Sequence, residues 1–141
     1  MKSSLTAYFG ISKSNRDKLE AEVDRVRKVL KEHRIILEVF VDKYEFTSEE
    51  ATEMMKIAFE EIDKCDFIIA ELSKKAIGVG VEVGYAKAKQ KPIIYLKREE
   101  ASYSTTVGGS ANYFIEYKDE SDLETKLILV LNSLLQVFEK E

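Results

Sequence analysis

A single carboxylate, that of Glu82, lies inside the glycine-rich segment G-V-G-V-E-V-G-Y-A, residues 78–86. The apolar run D-F-I-I-A-E-L ends shortly before this segment and predicts a buried strand, so the glycines fall where a strand passes into a helix. A turn of this kind presents backbone N–H groups and the positive end of a helix to an anion. Gly78 and Gly80 would let a ligand approach the backbone closely, and Glu82, in the first turn of a helix from about Gly80 to Gln90, would place a carboxylate beside it. Alternatively, Glu82 merely complements the helix N-terminus.

Other chemistry-bearing patterns are weak. The glycine spacing matches neither a dinucleotide-binding G-x-G-x-x-G motif nor a phosphate-binding loop. His33 has no second His or Cys at ligand spacing, so we expect no metal site and interpret it as a polar residue that ends the first helix. Cys65 is the single cysteine and is interpreted as a small filler between a helix and a strand. Gly84 lies within a predicted helix, where it costs about 1 kcal/mol relative to alanine, and this cost suggests that something approaches closely.

The elements that must position Glu82 alternate between short β-rich runs and longer helical periods, which predicts the α/β class. The predicted strands span residues 4–11, 34–41, 66–72, 92–96 and 112–117. The predicted helices span residues 14–33, 48–65, 80–90 and 119–140, with Ser48 as the N-cap of the second. Right-handed crossovers then give one domain, residues 1–141, with a doubly wound, flavodoxin-like or Rossmann-like parallel sheet of order 2-1-3-4-5 and helices on both faces.

In such sheets the ligand lies beyond the carboxyl ends of the strands at the switch point, here between the first and third strands. The segments Y-F-G-I-S-K-S-N and E-L-S-K-K-A-I-G-V-G-V-E are therefore predicted to meet there.

Composition excludes several classes of protein. The chain has 141 residues, a net charge of -4 and 45% hydrophobic residues, without an apolar run approaching the ~18 residues that span a bilayer. We therefore expect no membrane partner and no nucleic-acid polymer, since the latter needs a concentrated basic face. The N-terminus has too short an apolar run for a signal peptide, which favours a cytoplasmic location.

The segment I-I-A-E-L-S-K-K-A-I-G-V-G-V-E-V-G-Y-A-K-A-K-Q-K-P-I-I-Y-L resembles the core of the nucleoside 2-deoxyribosyltransferase superfamily, and most closely its 2'-deoxynucleoside 5'-phosphate N-hydrolases. A-Y-F-G-I-S near the N-terminus and the element order extend the resemblance along nearly the whole chain. It implies that Glu82 attacks C1' of a nucleoside or its 5'-monophosphate, giving a glycosyl ester that water or another base resolves. It also implies that Tyr8 orients this carboxylate and that no cofactor takes part.

The resemblance further implies a set of substrate-binding residues and a homodimer, because the family's phosphate-contacting serine after the fourth strand often comes from the neighbouring subunit. The implied substrate-binding residues are Gly10, Ser12, Gly78, Gly80, Ser104 and Thr106. The alternative for the segment S-Y-S-T-T-V-G-G-S-A, which carries the last two, is a mobile polar loop.

Two positions depart from the family pattern. Ala76 stands where the hydrolase branch has a phosphate-binding serine, although Ser73, Lys74 and Lys75 are near in sequence. Ala58 stands where the branch has an aspartate near the reacting centre. These departures keep open a second function, a nucleotide-binding or sensing module with little turnover. A third, a TIR-like NAD glycohydrolase, shares a similar topology and a glutamate but is disfavoured because the chain has no tryptophan.

Overall fold

The computed structural model of the chain describes residues 4–140 and contains one five-stranded parallel sheet. The strand order is β2-β1-β3-β4-β5, as the sequence predicts, and every neighbouring pair is parallel. The strands are β1 (Leu5–Gly10), β2 (Ile35–Val39), β3 (Phe67–Glu71), β4 (Ile93–Arg98) and β5 (Tyr113–Tyr117). The helices are α1 (Lys13–Arg16), α2 (Glu20–Glu32), α3 (Phe40–Lys43), α4 (Ala51–Lys64), α5 (Ile77–Ala88), α6 (Thr105–Ser110) and α7 (Glu120–Glu139).

Each face of the sheet carries its own hydrophobic cluster. Residues of α2 and α7 pack on one face, and residues of α4 and α5 pack on the other. Because side chains alternate along a strand, β1 sends Ala7 and Phe9 to the α2/α7 face and Tyr8 to the α4/α5 face. All five residues of β3 are buried, as expected for a central strand covered on both sides. Tyr8 therefore enters the same layer as α5.

Several predicted boundaries are wrong in informative ways. The first helix does not run unbroken over residues 14–33, because a 3-10 turn (Asp17–Leu19) separates α1 from α2. The second strand ends at Val39, where the chain enters α3. Ser48 is not an N-cap, since Thr47 forms a capping box with Glu50 at the 3-10 turn before α4.

One interpretation of the sequence predicts a mobile loop after the fourth strand, but this segment contains α6. Ser104 caps this helix by accepting a hydrogen bond of 3.3 Å from the backbone N–H of Val107. Gly108 allows Tyr103 to pack against the helix, because a Cβ at Gly108 would lie 1.8 Å from the Tyr103 hydroxyl oxygen. Of the neighbouring glycines Gly108 and Gly109, Gly108 is therefore the one that packing requires.

The most consequential correction concerns α5, which begins at Ile77 and not near Gly80. Gly78 and Gly80 consequently lie in its first turn, and Glu82 lies in its second. A Cβ at Gly78, Gly80 or Gly84 would meet no described protein atom within 4 Å. The close approach suggested for Gly84 is therefore not made by the described part of the chain.

Candidate functional site

Glu82 and Tyr8 meet at the switch point between β1 and β3. Glu82 projects from the second turn of α5, and the hydroxyl of Tyr8, from the middle of β1, donates a short hydrogen bond to its Oε2 atom. Tyr8 itself is fully buried, and its ring lies 6.1 Å from that of Phe40. This contact is consistent with the prediction that the two residues share a site. The Tyr8 hydroxyl is a rigid donor and fixes the position of Oε2 of Glu82.

Gly10 makes the approach of Glu82 to β1 possible. A Cβ at Gly10 would lie 3.2 Å from Oε1 of Glu82 and 3.5 Å from Cγ1 of Val79. The first distance is tighter than ordinary contact, so any larger residue would displace the carboxylate. Gly10 thus makes room for the carboxylate by its lack of a side chain, and the substrate-binding role that the resemblance implies stays a prediction.

The carboxylate of Glu82 is poorly solvated. Desolvation by burial raises the pKa of Glu82 to about 7, and the hydrogen bond from Tyr8 partly opposes this rise. Burial and the nearby Glu82 carboxylate both raise the pKa of Tyr8 well above its usual value. Tyr8 therefore stays protonated and remains a donor at physiological pH. Glu82 keeps some exposure, so its free oxygen can be reached from a cavity.

That cavity, which we call the Glu82 pocket, has a volume of about 220 Å³. Its wall is mostly apolar and comes from the segment that follows β1, from α3 and α4, and from α5 with the residue before it. The lining residues are Ile11, Ser12, Lys13, Phe40, Val41, Met54, Met55, Ala58, Ala76, Gly78, Val79 and Glu82. A carboxylate in a concave, largely apolar pocket with few polar groups is the usual character of a small-molecule site.

Ser12, which lines the Glu82 pocket, is joined by hydrogen bonds to two polar groups outside the lining, Ser14 and Lys74, and we call these three residues the rim. Ser12 and Ser14 share a hydrogen bond of 2.9 Å between their hydroxyls, and the ammonium of Lys74 donates to Ser14 Oγ at 2.9 Å. Ser12 lines the pocket and Lys13 is exposed beside it. Hydroxyls and lysines in this arrangement suit an anionic group on a ligand.

A second cavity adjoins the Glu82 pocket through Ala76, which lines both. This cavity has a volume of about 300 Å³ and is lined by Leu72, Lys75, Ala76, Ile77, Gly80, Ser104, Thr106 and Val107. The predicted substrate-binding residues thus divide into two groups: Ser12 and Gly78 line the Glu82 pocket, while Gly80, Ser104 and Thr106 line its neighbour. Ser104 is buried and its hydroxyl already caps α6, so Thr106 is the more accessible of the two hydroxyls.

No acid replaces the side chain that Ala58 lacks, as far as residues 4–140 show. Ala58 is 1% exposed and lies in the wall of the Glu82 pocket. Of the nearby acids on α4, Glu61 pairs with Lys43 and Asp63 accepts a hydrogen bond of 2.8 Å from Tyr85. Glu60 is exposed. The wall of the Glu82 pocket therefore carries an alanine methyl group at this position.

A second buried carboxylate, Glu71, was missed by the sequence reasoning although it interrupts an apolar strand. Glu71 is 2% exposed and accepts hydrogen bonds from the Tyr117 hydroxyl at 2.6 Å and from the backbone N–H and hydroxyl of Ser73, both at 2.7 Å. Burial raises the pKa of Glu71 despite these donors. The Ser73 hydroxyl also accepts from the backbone N–H of Arg98, so Ser73 is held away from the role suggested for it beside Ala76.

Within residues 4–140, no cluster of His, Cys, Asp and Glu side chains could hold a metal ion. In the same range, no helix is both long enough and apolar enough to cross a membrane.

Comparisons with known proteins bear on the family and the fold. The family model for nucleoside 2-deoxyribosyltransferase matches residues 7–126. The CMP N-glycosidase BcmB of Clostridium botulinum has a similar structure, with a TM-score of 0.65 and 20% identity over 86% of this chain and 97% of that one. A 2-deoxyribosyltransferase of Bacillus psychrosaccharolyticus has a TM-score of 0.66 and 18% identity over 84% and 90% of the two chains. A comparison with curated protein sequences gives no match.

Proposed function

Because the chain belongs to the nucleoside 2-deoxyribosyltransferase family, we propose that it cleaves the N-glycosidic bond of nucleosides or their 5'-monophosphates with Glu82 as the nucleophile. The observation that carries the proposal is the Tyr8–Glu82 hydrogen bond inside the Glu82 pocket. The bond fixes one carboxylate oxygen and leaves the other for attack. The solved N-glycosidase and deoxyribosyltransferase with similar folds support this class of reaction.

In the proposed first step, an oxygen of ionised Glu82 attacks C1' of the sugar as the bond to the base breaks. The product is a glycosyl ester on Glu82 and a free base. In the second step, water or another base attacks C1' from the vacated side and regenerates the carboxylate, with retention at C1' overall. Water gives hydrolysis and a base gives transfer. Tyr8 assists both steps by donating to Oε2, which stabilises the carboxylate before attack and after release.

The sugar and any 5'-phosphate are proposed to face the rim made by Ser12, Ser14 and Lys74. Lys75 and Thr106, in the adjoining cavity, offer a second anion-binding place beside Ala76. These groups would compensate for the missing serine at Ala76. We include the homodimer in this proposal because Ile77 and Val81 are exposed apolar residues on the first turns of α5, close to that cavity. Sedimentation velocity of wild type beside Ile77→Lys measures the assembly directly.

A direct test incubates the protein with a panel of deoxynucleosides, ribonucleosides and their 5'-monophosphates, including N-alkylated bases, and follows free base by chromatography. Wild type should release base from at least one member, and Glu82→Gln should release none while keeping its fold. Intact-mass spectrometry during turnover should show the added mass of one sugar on wild type. Base release that persists in Glu82→Gln would refute the nucleophile assignment.

A nucleotide-binding module with little turnover is the second candidate, and Ala58 is the observation that favours it. Without an acid at this position, a departing base receives little help from α4. Binding of a nucleotide by calorimetry with no release of base from any member of the panel would support this function instead. The TIR-like alternative is not proposed, since the family match favours the deoxyribosyltransferases.

A further inference from the structure

The polarity of the Glu82 pocket constrains which base can leave from it. A neutral purine or pyrimidine departs as an anion unless it is protonated, and an anion needs a donor or a polar surrounding. In the described chain, the part of the wall that comes from α3 and α4 consists of Phe40 and Val41 with Met54, Met55 and Ala58. None of these side chains can donate a proton or a hydrogen bond. A base anion formed against them would be uncompensated.

The remaining polar groups of the pocket do not fill this role. Ser12 is hydrogen-bonded to Ser14, and the rim that it belongs to suits the sugar or a phosphate. Lys13 is exposed to solvent at the edge of the pocket. Tyr8 is fully buried and is engaged with Glu82. The acids of α4 are paired elsewhere or exposed, as described above.

The movement of charge during the reaction also favours a cationic base over a neutral one. With a neutral base, the negative charge of Glu82 moves onto the base and stays in the apolar pocket. With a base that is already cationic, attack converts a carboxylate and a cation into a neutral ester and a neutral base. A poorly solvating pocket favours the second reaction, because both charges disappear. A cationic base would also favour ionisation of the half-buried Glu82 before attack.

We propose that the Glu82 pocket is selective for N-glycosides whose base already carries a positive charge, such as an N7-alkylated purine or a pyridinium. This inference rests on the proposed function and names its substrate class. The C1'–N bond breaks with its electron pair going to the ring nitrogen, which neutralises the base, while Glu82 forms the C1'–O ester. Water then attacks C1', the carboxylate is regenerated, and one proton of the water is released to solvent.

The experiment compares 7-methyl-2'-deoxyguanosine with 2'-deoxyguanosine, and the pyridinium 2'-deoxyriboside of nicotinamide as a second cationic substrate. Each enzymatic kcat/KM is divided by the uncatalysed rate measured in the same buffer, because cationic N-glycosides are intrinsically labile. The rate enhancement should be at least about 100-fold larger for the cationic substrates, since general acid catalysis contributes about 10²–10⁴-fold where an enzyme has it. The pH profile of kcat/KM for the pyridinium substrate, whose charge does not titrate, should rise to a plateau without the descending limb at higher pH that reports a proton donor. If only one cationic substrate is cleaved, the shape of the pocket selects between purine and pyridinium, and the charge requirement stands.

Ala58→Asp provides a converse test, with Ala58→Asn as its isosteric control. The aspartate should raise kcat/KM on 2'-deoxyguanosine by a larger factor than on the cationic substrates, and it should add a descending limb at higher pH to the profile for 2'-deoxyguanosine. Equal rate enhancement on neutral and cationic substrates by wild type, or a bell-shaped profile, would overturn the inference and leave the proposed function intact. Release of base from no substrate at all would overturn both. The wild-type comparison decides the matter even where the Ala58 variants fold poorly.

Discussion

Replacing Glu82 by glutamine should stabilise the protein at neutral and alkaline pH. Burial raises the pKa of Glu82 to about 7 in the folded state, while an unfolded glutamate titrates near 4.3. Between these values the folded state holds the proton more tightly than the unfolded state, so the contribution of this group to stability is complete below pH 4.3 and is lost as the pH rises to about 7. Glutamine cannot ionise and escapes this loss, and its amide oxygen can still accept from Tyr8.

The magnitude follows from the two pKa values. Wild type should lose about 2–3 kcal/mol relative to Glu82→Gln between pH 5 and pH 8, because one pKa unit corresponds to 1.36 kcal/mol. Urea denaturation of both proteins at several pH values measures this difference, and comparing the change with pH cancels any constant cost of the amide. Glu60→Gln, on the exposed face of α4, is the matched control and should show no such trend. Parallel stability curves for wild type and Glu82→Gln would refute the reasoning that Glu82 is held in a desolvating site.

Three further perturbations test the site and its support. Tyr8→Phe removes the hydrogen bond that lowers the pKa of Glu82, so the rising limb of the kcat/KM profile should move by about one unit to higher pH. A limb that stays in place would show that Tyr8 does not affect the pKa that the profile reports. Gly10→Ala places a methyl group 3.2 Å from Glu82 Oε1 and should displace the carboxylate, which lowers kcat about 10–100-fold with little loss of thermal stability. An unchanged kcat would show that the position of the carboxylate is not critical. Tyr117→Phe deprives buried Glu71 of one donor and should lower the free energy of unfolding by about 1–3 kcal/mol in chemical denaturation. The control Tyr113→Phe, whose hydroxyl makes no hydrogen bond within residues 4–140, should change it little, and equal effects of the two would argue against the Glu71 network.

The sheet could be predicted from the sequence because its signals are local. The all-apolar centre of β3 and the single proline before β4 mark central strands, and right-handed crossovers leave the order 2-1-3-4-5 as the simplest solution. The pairing of Tyr8 with Glu82 was implied by the family resemblance and not by a local pattern. The strand order adds only that both residues lie near the switch point.

The parts that sequence reasoning missed depend on contacts between distant segments. The start of α5 at Ile77 could not be read from the glycines, which normally mark a loop and give no indication that they lie inside a helix. The packing of Gly10 against Glu82 has no local signal, because the two residues lie 72 positions apart in the sequence. The Glu71 network joins β3 to β5 through Tyr117, and no local pattern announces that pairing.

Glu71 and the half-buried Glu82 are two desolvated carboxylates with different hydrogen-bond partners. Glu71 and Glu82 lie towards opposite faces of the sheet, and burial raises the pKa of both. Glu71 receives three hydrogen bonds from Ser73 and Tyr117 and is almost fully buried, so it is held inside the fold by its own network. Glu82 receives one, from Tyr8, among the described residues. A buried carboxylate costs more stability when it has fewer hydrogen-bond donors. We therefore expect a ligand to lower this cost at Glu82, and a cationic ligand lowers it most directly because it supplies the opposite charge.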